Sequence, residues 1–169
     1  MRTVLILAAL ATALAGCNRN TAIGNDREAQ LDPAPKPAPQ MPAESALRNV
    51  ATAIVKPETM SAADVNALGG LDGKCTIRLT EIAFPSLLYE PGRSAAIKLN
   101  AKLIPLQAAG ENRYESGGLV VTLRPLEPAS DDDALRRTEM IVVPPAAEDE
   151  IGYRGFSKCY LAGGGGPTP

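Results

Sequence analysis

Short β-prone runs separated by frequent turn signals constrain the fold of this chain more than any other feature. Between residues 75 and 160, Gly, Pro or Asn residues interrupt the apolar runs roughly every 8–15 residues. The run 75–80 alternates apolar and polar side chains, as a half-buried strand does. All six aromatic residues also lie between residues 84 and 160. We therefore predict a mainly β domain of five to seven short strands, folded as a small antiparallel barrel or sandwich.

The turn signals place the individual strands. Asn100-Ala101 is predicted as a two-residue hairpin turn, and Gly110 and Gly117-Gly118 are predicted to flank a hairpin around Tyr114. Pro85 and Pro91 are predicted to bracket a loop that carries Tyr89. Strands are predicted over 75–80, 95–99, 103–106, 119–123, 140–143 and 153–160.

One or two short helices are predicted before the first strand. Residues 45–56 place Leu47, Val50, Ala51 and Ile54 on one helix face, and Pro57 ends the run. A second helix is predicted to begin at Ser61, with Asp64 completing a capping box and Gly69-Gly70 ending it. Met60 and Val65 are spaced for a hydrophobic staple across its first turn.

The N-terminus predicts an exported and lipidated protein. Arg2 precedes an apolar run over residues 4–14, which is too short to span a bilayer and has the length of a signal-peptide core. The run ends in Leu14-Ala15-Gly16-Cys17, which resembles the lipobox of bacterial lipoprotein precursors. The resemblance implies cleavage before Cys17, lipidation of Cys17, and a membrane partner reached through that lipid. An ordinary cleaved signal with an incidental cysteine is the alternative. Asn18 in place of Asp implies, by the same resemblance, the outer membrane, with the domain in the periplasm.

The cysteines fit the same compartment. With Cys17 lipidated, the pair Cys75 and Cys159 remains, and an even pair in an exported chain is typical of a disulfide. Two free thiols are the alternative. The disulfide would join the first predicted strand to the last.

Composition divides the chain into four segments. Residues 1–16 are the predicted signal peptide, and residues 17–43 are a lipidated N-terminus followed by a Pro-rich tether. Residues 44–160 are the predicted β-rich domain, and 161–169 a disordered Gly-rich tail.

Composition also excludes several functions. The chain has no His, which removes Ser-His and Cys-His nucleophile pairs and the usual zinc and haem ligands. Its formal net charge of −2 argues against nucleic-acid binding, because nucleic-acid-binding domains are typically basic. The acidic stretches 131–133 and 148–150 lack the spacing of a calcium loop, so they are interpreted as solvated loops. We predict no enzyme, no metal and no cofactor.

Two resemblances concern the domain itself. Residues 56–61 and 73–75, then 97–100 and 152–155, resemble a family of short, uncharacterised proteobacterial lipoproteins, which implies no activity. The cysteine placement, with Ala-x-Ile-x-Leu and a nearby Ser-Gly, is similar to membrane-bound inhibitors of C-type lysozymes, which are small β-barrel lipoproteins. That similarity implies a candidate binding loop at Tyr114, Glu115 and Ser116, although Tyr114 precedes Ser116-Gly117 here and the inhibitors have the opposite order.

These observations predict an envelope lipoprotein that displays a small binding or structural domain to an envelope protein partner. The alternative is a periplasmic inhibitor of a C-type lysozyme.

Overall fold

A computed structural model of the chain describes residues 35–51, 55–127 and 135–160. In these residues eight antiparallel strands form a closed barrel, in which each strand pairs with the next and β8 returns to β1. The strands are β1 (Cys75–Arg78), β2 (Leu87–Glu90), β3 (Ser94–Leu99), β4 (Lys102–Gly110), β5 (Arg113–Ser116), β6 (Leu119–Pro125), β7 (Arg136–Val143) and β8 (Ile151–Cys159). Two short helices, α1 (Ala43–Ala46) and α2 (Ala62–Ala67), precede the barrel. The mainly β prediction is confirmed, and the barrel is the form that the chain adopts.

The predicted count of five to seven strands is too low, because the stretch between Pro85 and Pro91 is not a loop. Leu87–Glu90 forms β2, which pairs with β1 and β3, so Tyr89 is a strand residue. Two prolines at the ends of a strand need not interrupt its hydrogen bonds. The hairpin at Asn100-Ala101 is confirmed: both residues have positive φ, as a two-residue turn of this kind requires.

The barrel interior is filled by the alternating apolar residues of all the strands. Ile77, Ile97, Ile104, Val121 and Met140 are each fully buried there. Because side chains of a strand alternate between faces, the residues between them point outward. The interior is a packed core, as expected for a barrel of eight strands.

The seam between β1 and β8 closes the barrel. Four residue pairs form it, beginning with Cys75 opposite Cys159 and ending with Arg78 opposite Phe156. The predicted disulfide joins Cys75 to Cys159, whose Cα atoms lie 3.9 Å apart. The disulfide therefore links the two ends of the strand sequence at the point where the barrel closes.

Helix α2 packs on the outside of the barrel. Its predicted capping box is present: the Ser61 hydroxyl accepts from the Asp64 backbone N–H, and the Asp64 carboxylate accepts from the Ser61 N–H. Met60 and Val65 are buried in one cluster with Leu88 and Leu103, which face outward from β2 and β4. The predicted helix start, staple and glycine stop are thus confirmed.

The predicted helix over 45–56 is wrong in its extent. Helix α1 ends at Ala46, and Asn49 adopts a positive φ that interrupts a helix. Tertiary packing explains the short helix, because Ala43, Leu47 and Val55 are buried against the barrel core instead of sharing one helix face. Residues 52–54, including Ile54, lie outside the described residues.

The last part of the predicted tether is packed on the domain. The Met41 N–H donates to the Leu103 carbonyl (3.0 Å), and the Leu103 N–H donates to the Pro39 carbonyl (3.0 Å). Ala43 is fully buried. The folded domain therefore begins before residue 44, near Ala38, whose N–H donates to Asp64. The predicted signal peptide, Cys17, residues 131–133 and the predicted tail lie outside the described residues.

No helix in the described part of the chain is long and apolar enough to cross a bilayer.

Candidate functional site at the disulfide end of the barrel

The two ends of the barrel differ in what covers them. At one end, here called the α1 end, residues from Met41 to Val50 and Val55 pack over the interior, with Ala43, Ala46 and Leu47 joining the core. At the other end, here called the disulfide end, β1 begins at Cys75 and β8 ends at Cys159. The turns after β2 and β4 also lie there, because neighbouring strands run in opposite directions.

Polar side chains gather inside the barrel at the disulfide end. We call this group the polar cluster; its members are Tyr89, Tyr114, Arg136, Thr138 and Ser157. Four different strands, β2, β5, β7 and β8, contribute these residues. Thr138 precedes the buried interior residues Met140 and Val142 at a spacing of two, so Arg136 lies on the same face of β7. The elements thus converge on one patch, although the residues are far apart in the sequence.

Hydroxyl contacts tie β7 to β8 within the cluster. The Thr138 hydroxyl donates to the Ser157 Oγ at 2.9 Å, and the Ser157 hydroxyl donates to the Arg136 carbonyl at 3.4 Å. Arg136 and Ser157 are also register partners across the two strands. Thr138 is buried, while Arg136 and Ser157 are partly exposed.

Two tyrosines form the aromatic side of the cluster. Their ring centroids lie 5.9 Å apart with the planes tilted by 58°, a favourable geometry for aromatic side chains. Tyr89 is partly exposed, whereas Tyr114 is fully buried.

Both phenols stay protonated at physiological pH. Burial and the neighbouring Tyr114 raise the pKa of Tyr89 to about 12, against the opposing effect of the Arg136 guanidinium. Burial also raises the pKa of Tyr114, while the Gly92 backbone N–H acts in the opposite direction. A neutral phenol is a hydrogen-bond donor, so the cluster supplies donors and one permanent positive charge.

The Tyr114 hydroxyl is buried without a well-formed hydrogen bond. The Gly92 N–H, in the turn after β2, acts on the Tyr114 oxygen electrostatically, but no group in the described residues makes a hydrogen bond of good geometry with that oxygen. A buried polar group left unsatisfied costs about 1–3 kcal/mol. Such a group is uncommon in a folded protein and calls for an explanation.

The predicted binding loop is only partly at the surface. Glu115 is exposed on the outward face of β5, and Ser116 is partly exposed before the Gly117-Gly118 turn. Tyr114 does not share that surface: it lies in β5, not in a loop, and points into the barrel. The alternation of β5 explains this, because Tyr114 and Glu115 must lie on opposite faces of the strand.

The other members of the cluster were not among the predicted site residues. Tyr89 was predicted in a loop, and the strand of Arg136 and Thr138 was predicted to begin only at Met140. A sequence signal did exist: Arg136, Thr138, Met140 and Val142 occur at every second position. Polar residues at the start of that series mark the point where the interior face approaches the barrel end.

The acidic residues do not form a metal centre in the described part of the chain. No group of three or more His, Cys, Asp or Glu side chains is placed to hold a metal ion there. Residues 148–150 are exposed in the loop between β7 and β8.

A family model described as Domain of unknown function (DUF6692) matches residues 13–162. No curated protein and no solved structure matches the chain.

Proposed function

The chain belongs to the DUF6692 family, whose description names no activity, and from its own residues we propose that it is a lipid-anchored envelope protein whose barrel is a binding module. The anchor is Cys17, the membrane is the outer membrane, and the domain lies in the periplasm. The observation that carries the proposal is the Leu14-Ala15-Gly16-Cys17 lipobox placed ahead of a barrel that is closed by a disulfide.

The disulfide supports export. Disulfides form and persist in oxidising compartments and are rare in the cytosol. Cys75 and Cys159 face each other at the barrel seam, where a disulfide can form between paired strands. Lipidation of Cys17 would leave no thiol unused, since the chain has three cysteines.

Three acyl chains on Cys17 would hold the protein at the membrane for its lifetime. Each buried CH₂ contributes about 0.8 kcal/mol, and a single myristoyl chain binds only reversibly. The proposal does not need a transmembrane helix.

The packed interior supports binding at the barrel surface or its end instead of in a central cavity. Large side chains fill the layers around Ile77, Ile104 and Met140, each of which is fully buried. Residues of the stretch 41–50 and Val55 cover the α1 end. At the disulfide end, by contrast, interior polar groups are partly exposed. Mouths of β-barrels are common ligand sites. We propose a binding role and assign no catalytic residue.

A Cys17→Ala variant tests the anchor. Wild-type protein should fractionate with the outer membrane, and its N-terminal peptide should carry the mass of the acyl chains. The variant should keep residues 1–16 or appear in the wrong fraction. A Cys75→Ser/Cys159→Ser double variant is the matched control, because it removes two cysteines but not the lipidation site. Outer-membrane fractionation of Cys17→Ala equal to that of wild type would refute the lipoprotein.

Inhibition of a C-type lysozyme is the second candidate. The disulfide between the first and last strands of a small barrel favours it, since the similarity to those inhibitors implies such a barrel. Burial of Tyr114 weighs against it, because the loop would present Glu115 to catalytic carboxylates, and like charges in a desolvated contact are unfavourable. We expect no inhibition by the full-length protein at micromolar concentration. Inhibition that Ser116→Ala abolishes would promote this candidate.

A further inference from the structure

We propose that the turn between β1 and β2 inserts two apolar side chains, Ile82 and Phe84, into the surface of the bilayer that carries the lipid anchor. The inference rests on the proposed anchor at Cys17 and goes beyond it. It assigns a second, reversible membrane contact to the folded domain itself.

The turn between β1 and β2 exposes large apolar side chains. Ile82 is 96% exposed and Phe84 is 55% exposed, the two highest values among the large apolar residues of the described chain. On either side of them the chain is packed: Leu79 contacts the barrel core, and Pro85 is buried. The fold therefore holds both ends of the turn and leaves its apolar tip in contact with solvent.

Ile82 lies at the tip of this turn. The Ala83 N–H donates to the Thr80 carbonyl at 3.4 Å, which places Glu81 and Ile82 at the centre of a four-residue turn. Such central positions favour Gly, Asn, Asp or Ser, whose short or absent side chains suit the turn backbone. Apolar residues scattered singly over a surface need no explanation, but an almost fully exposed isoleucine close to an exposed phenylalanine favours contact with an apolar partner.

The N-terminal segment of the described chain joins the barrel next to this turn. The Met60 N–H donates to the Pro85 carbonyl at 2.8 Å, directly after Phe84. The adjacent Ser61 N–H and the Ala38 N–H both donate to the Asp64 carboxylate. These contacts place residue 38, close to where the described chain begins, on the side of the barrel that carries the turn.

The span between the proposed anchor and this side of the domain is short. Residue 38 follows Cys17 by 21 positions. At about 3.3–3.6 Å per residue, a segment of that length reaches at most about 75 Å even when it is fully extended. Attachment over this span keeps the domain at a high effective concentration beside the bilayer, so that weak insertion by two side chains suffices.

The chemistry of the turn favours a bilayer over a protein partner. A stable protein interface buries a contiguous patch of about 800 Å² on each partner, which two protruding side chains do not supply. Lipid, by contrast, rearranges around protruding apolar groups, and phenylalanine is typical of the faces of proteins that enter the membrane interface. Glu81 is exposed beside Ile82, so the contact is hydrophobic and does not depend on anionic lipids.

Single-tryptophan variants of the full-length lipidated protein test the insertion, because the chain contains no Trp. Ile82→Trp and Phe84→Trp each place one indole in the turn. Leu126→Trp is the matched control, since Leu126 is 44% exposed but follows β6 at the disulfide end. Each variant is mixed with phosphatidylcholine vesicles at millimolar lipid, with brominated acyl chains or without. Brominated chains should quench the indole in the turn about threefold more strongly than the indole of Leu126→Trp.

A second substitution tests whether the two side chains act together. Ile82→Ser in the Phe84→Trp chain should reduce the quenching about twofold, because it removes apolar surface from the tip. The fold should tolerate this change, since the Ile82 side chain is almost fully exposed. Thr80→Ser, an exposed position in the same turn, is the control and should leave the quenching unchanged. Replacing part of the phosphatidylcholine with phosphatidylglycerol should not increase the quenching, because Glu81 is acidic.

Equal quenching of Ile82→Trp, Phe84→Trp and Leu126→Trp would overturn the inference and would point to a protein partner for the turn. Failure of the anchor is a separate result: the protein would not float with vesicles in a density gradient, and it would float through its acyl chains whether or not the turn inserts. Because the quenching is measured at millimolar lipid, it decides the insertion of the turn in either case.

Discussion

At the scale of single residues, Tyr114 and Tyr153 show two uses of a tyrosine in one barrel. The Tyr153 hydroxyl donates to the Val55 carbonyl at 3.3 Å and so fastens the covering segment to the α1 end. The Tyr114 hydroxyl, at the disulfide end, has no such partner in the described structure. The first tyrosine stabilises the fold through its hydroxyl, whereas the hydroxyl of the second is a cost to stability.

Tyr114→Phe should therefore increase the free energy of unfolding by about 1 kcal/mol, because it removes an unsatisfied buried hydroxyl while keeping the ring. Tyr153→Phe, the matched control, should decrease it by about 1 kcal/mol through loss of one hydrogen bond. Urea denaturation followed by circular dichroism measures both. A clear loss of stability in Tyr114→Phe would show that the hydroxyl is satisfied in the folded protein.

At the scale of elements, a buried carboxylate attaches α2 and the N-terminal segment to the barrel. The Asp64 side chain is 1% exposed and accepts from Lys98 Nζ on β3 at 2.7 Å. It also accepts from the Ala38 N–H at 2.6 Å and from the Ser61 N–H at 2.7 Å. Burial alone would raise the pKa of Asp64, but these donors outweigh it and lower the pKa from 3.8 to about 2.

This shift predicts a pH-dependent stability. Because the pKa is lower in the folded state, the contribution of Asp64 is complete above pH 4 and is lost as the pH falls through 2. The shift corresponds to about 2 kcal/mol. Asp64→Asn should thus destabilise the protein at pH 7, and its difference from wild type should shrink between pH 4 and pH 2.

Thermal unfolding at several pH values measures this effect. Asp72→Asn is the matched control, since Asp72 is exposed in the turn before β1. A difference between Asp64→Asn and wild type that stayed constant from pH 7 to pH 2 would contradict the depressed pKa.

At the scale of the whole molecule, the barrel depends on the seam between β1 and β8. Only four residue pairs form this seam, whereas β7 and β8 share seven. The seam also joins strands that are distant in sequence, since the two cysteines are 84 positions apart. The loop-closure entropy of that long segment opposes the seam, and the disulfide removes much of this entropy from the unfolded chain.

Cys75→Ser/Cys159→Ser should lower the free energy of unfolding by about 2–4 kcal/mol, which is less than the chain-entropy estimate of roughly 4–5 kcal/mol for a loop of this length. Adding a reductant should lower the stability of wild type to that of the variant and should leave the variant unchanged. Urea midpoints measured with and without dithiothreitol provide the comparison. Equal midpoints for oxidised wild type and the variant would show that the strand pairing alone closes the barrel.

By itself, the sequence determined features that depend on neighbouring residues or on one residue type. The alternation of Cys75, Ile77 and Leu79 indicated a strand, and the Ser61–Asp64 spacing indicated the start of α2. The two cysteines indicated a disulfide between the first and last strands. Each signal lies within a few neighbouring residues or in the chemistry of one residue type, so no knowledge of the fold was needed to recognise it.

Only the tertiary structure decided which residues meet. Helix α1 stops at Ala46 because the following residues gain more by packing on the barrel core than by extending a short helix. The polar cluster joins Tyr89 to Ser157 across β2, β5, β7 and β8, and the barrel register sets that proximity. In the closed barrel Tyr114 points inward, although the sequence placed it in a candidate binding loop. Strand pairing along the whole sheet decides which face of a strand becomes the barrel interior. A local sequence pattern does not contain that information.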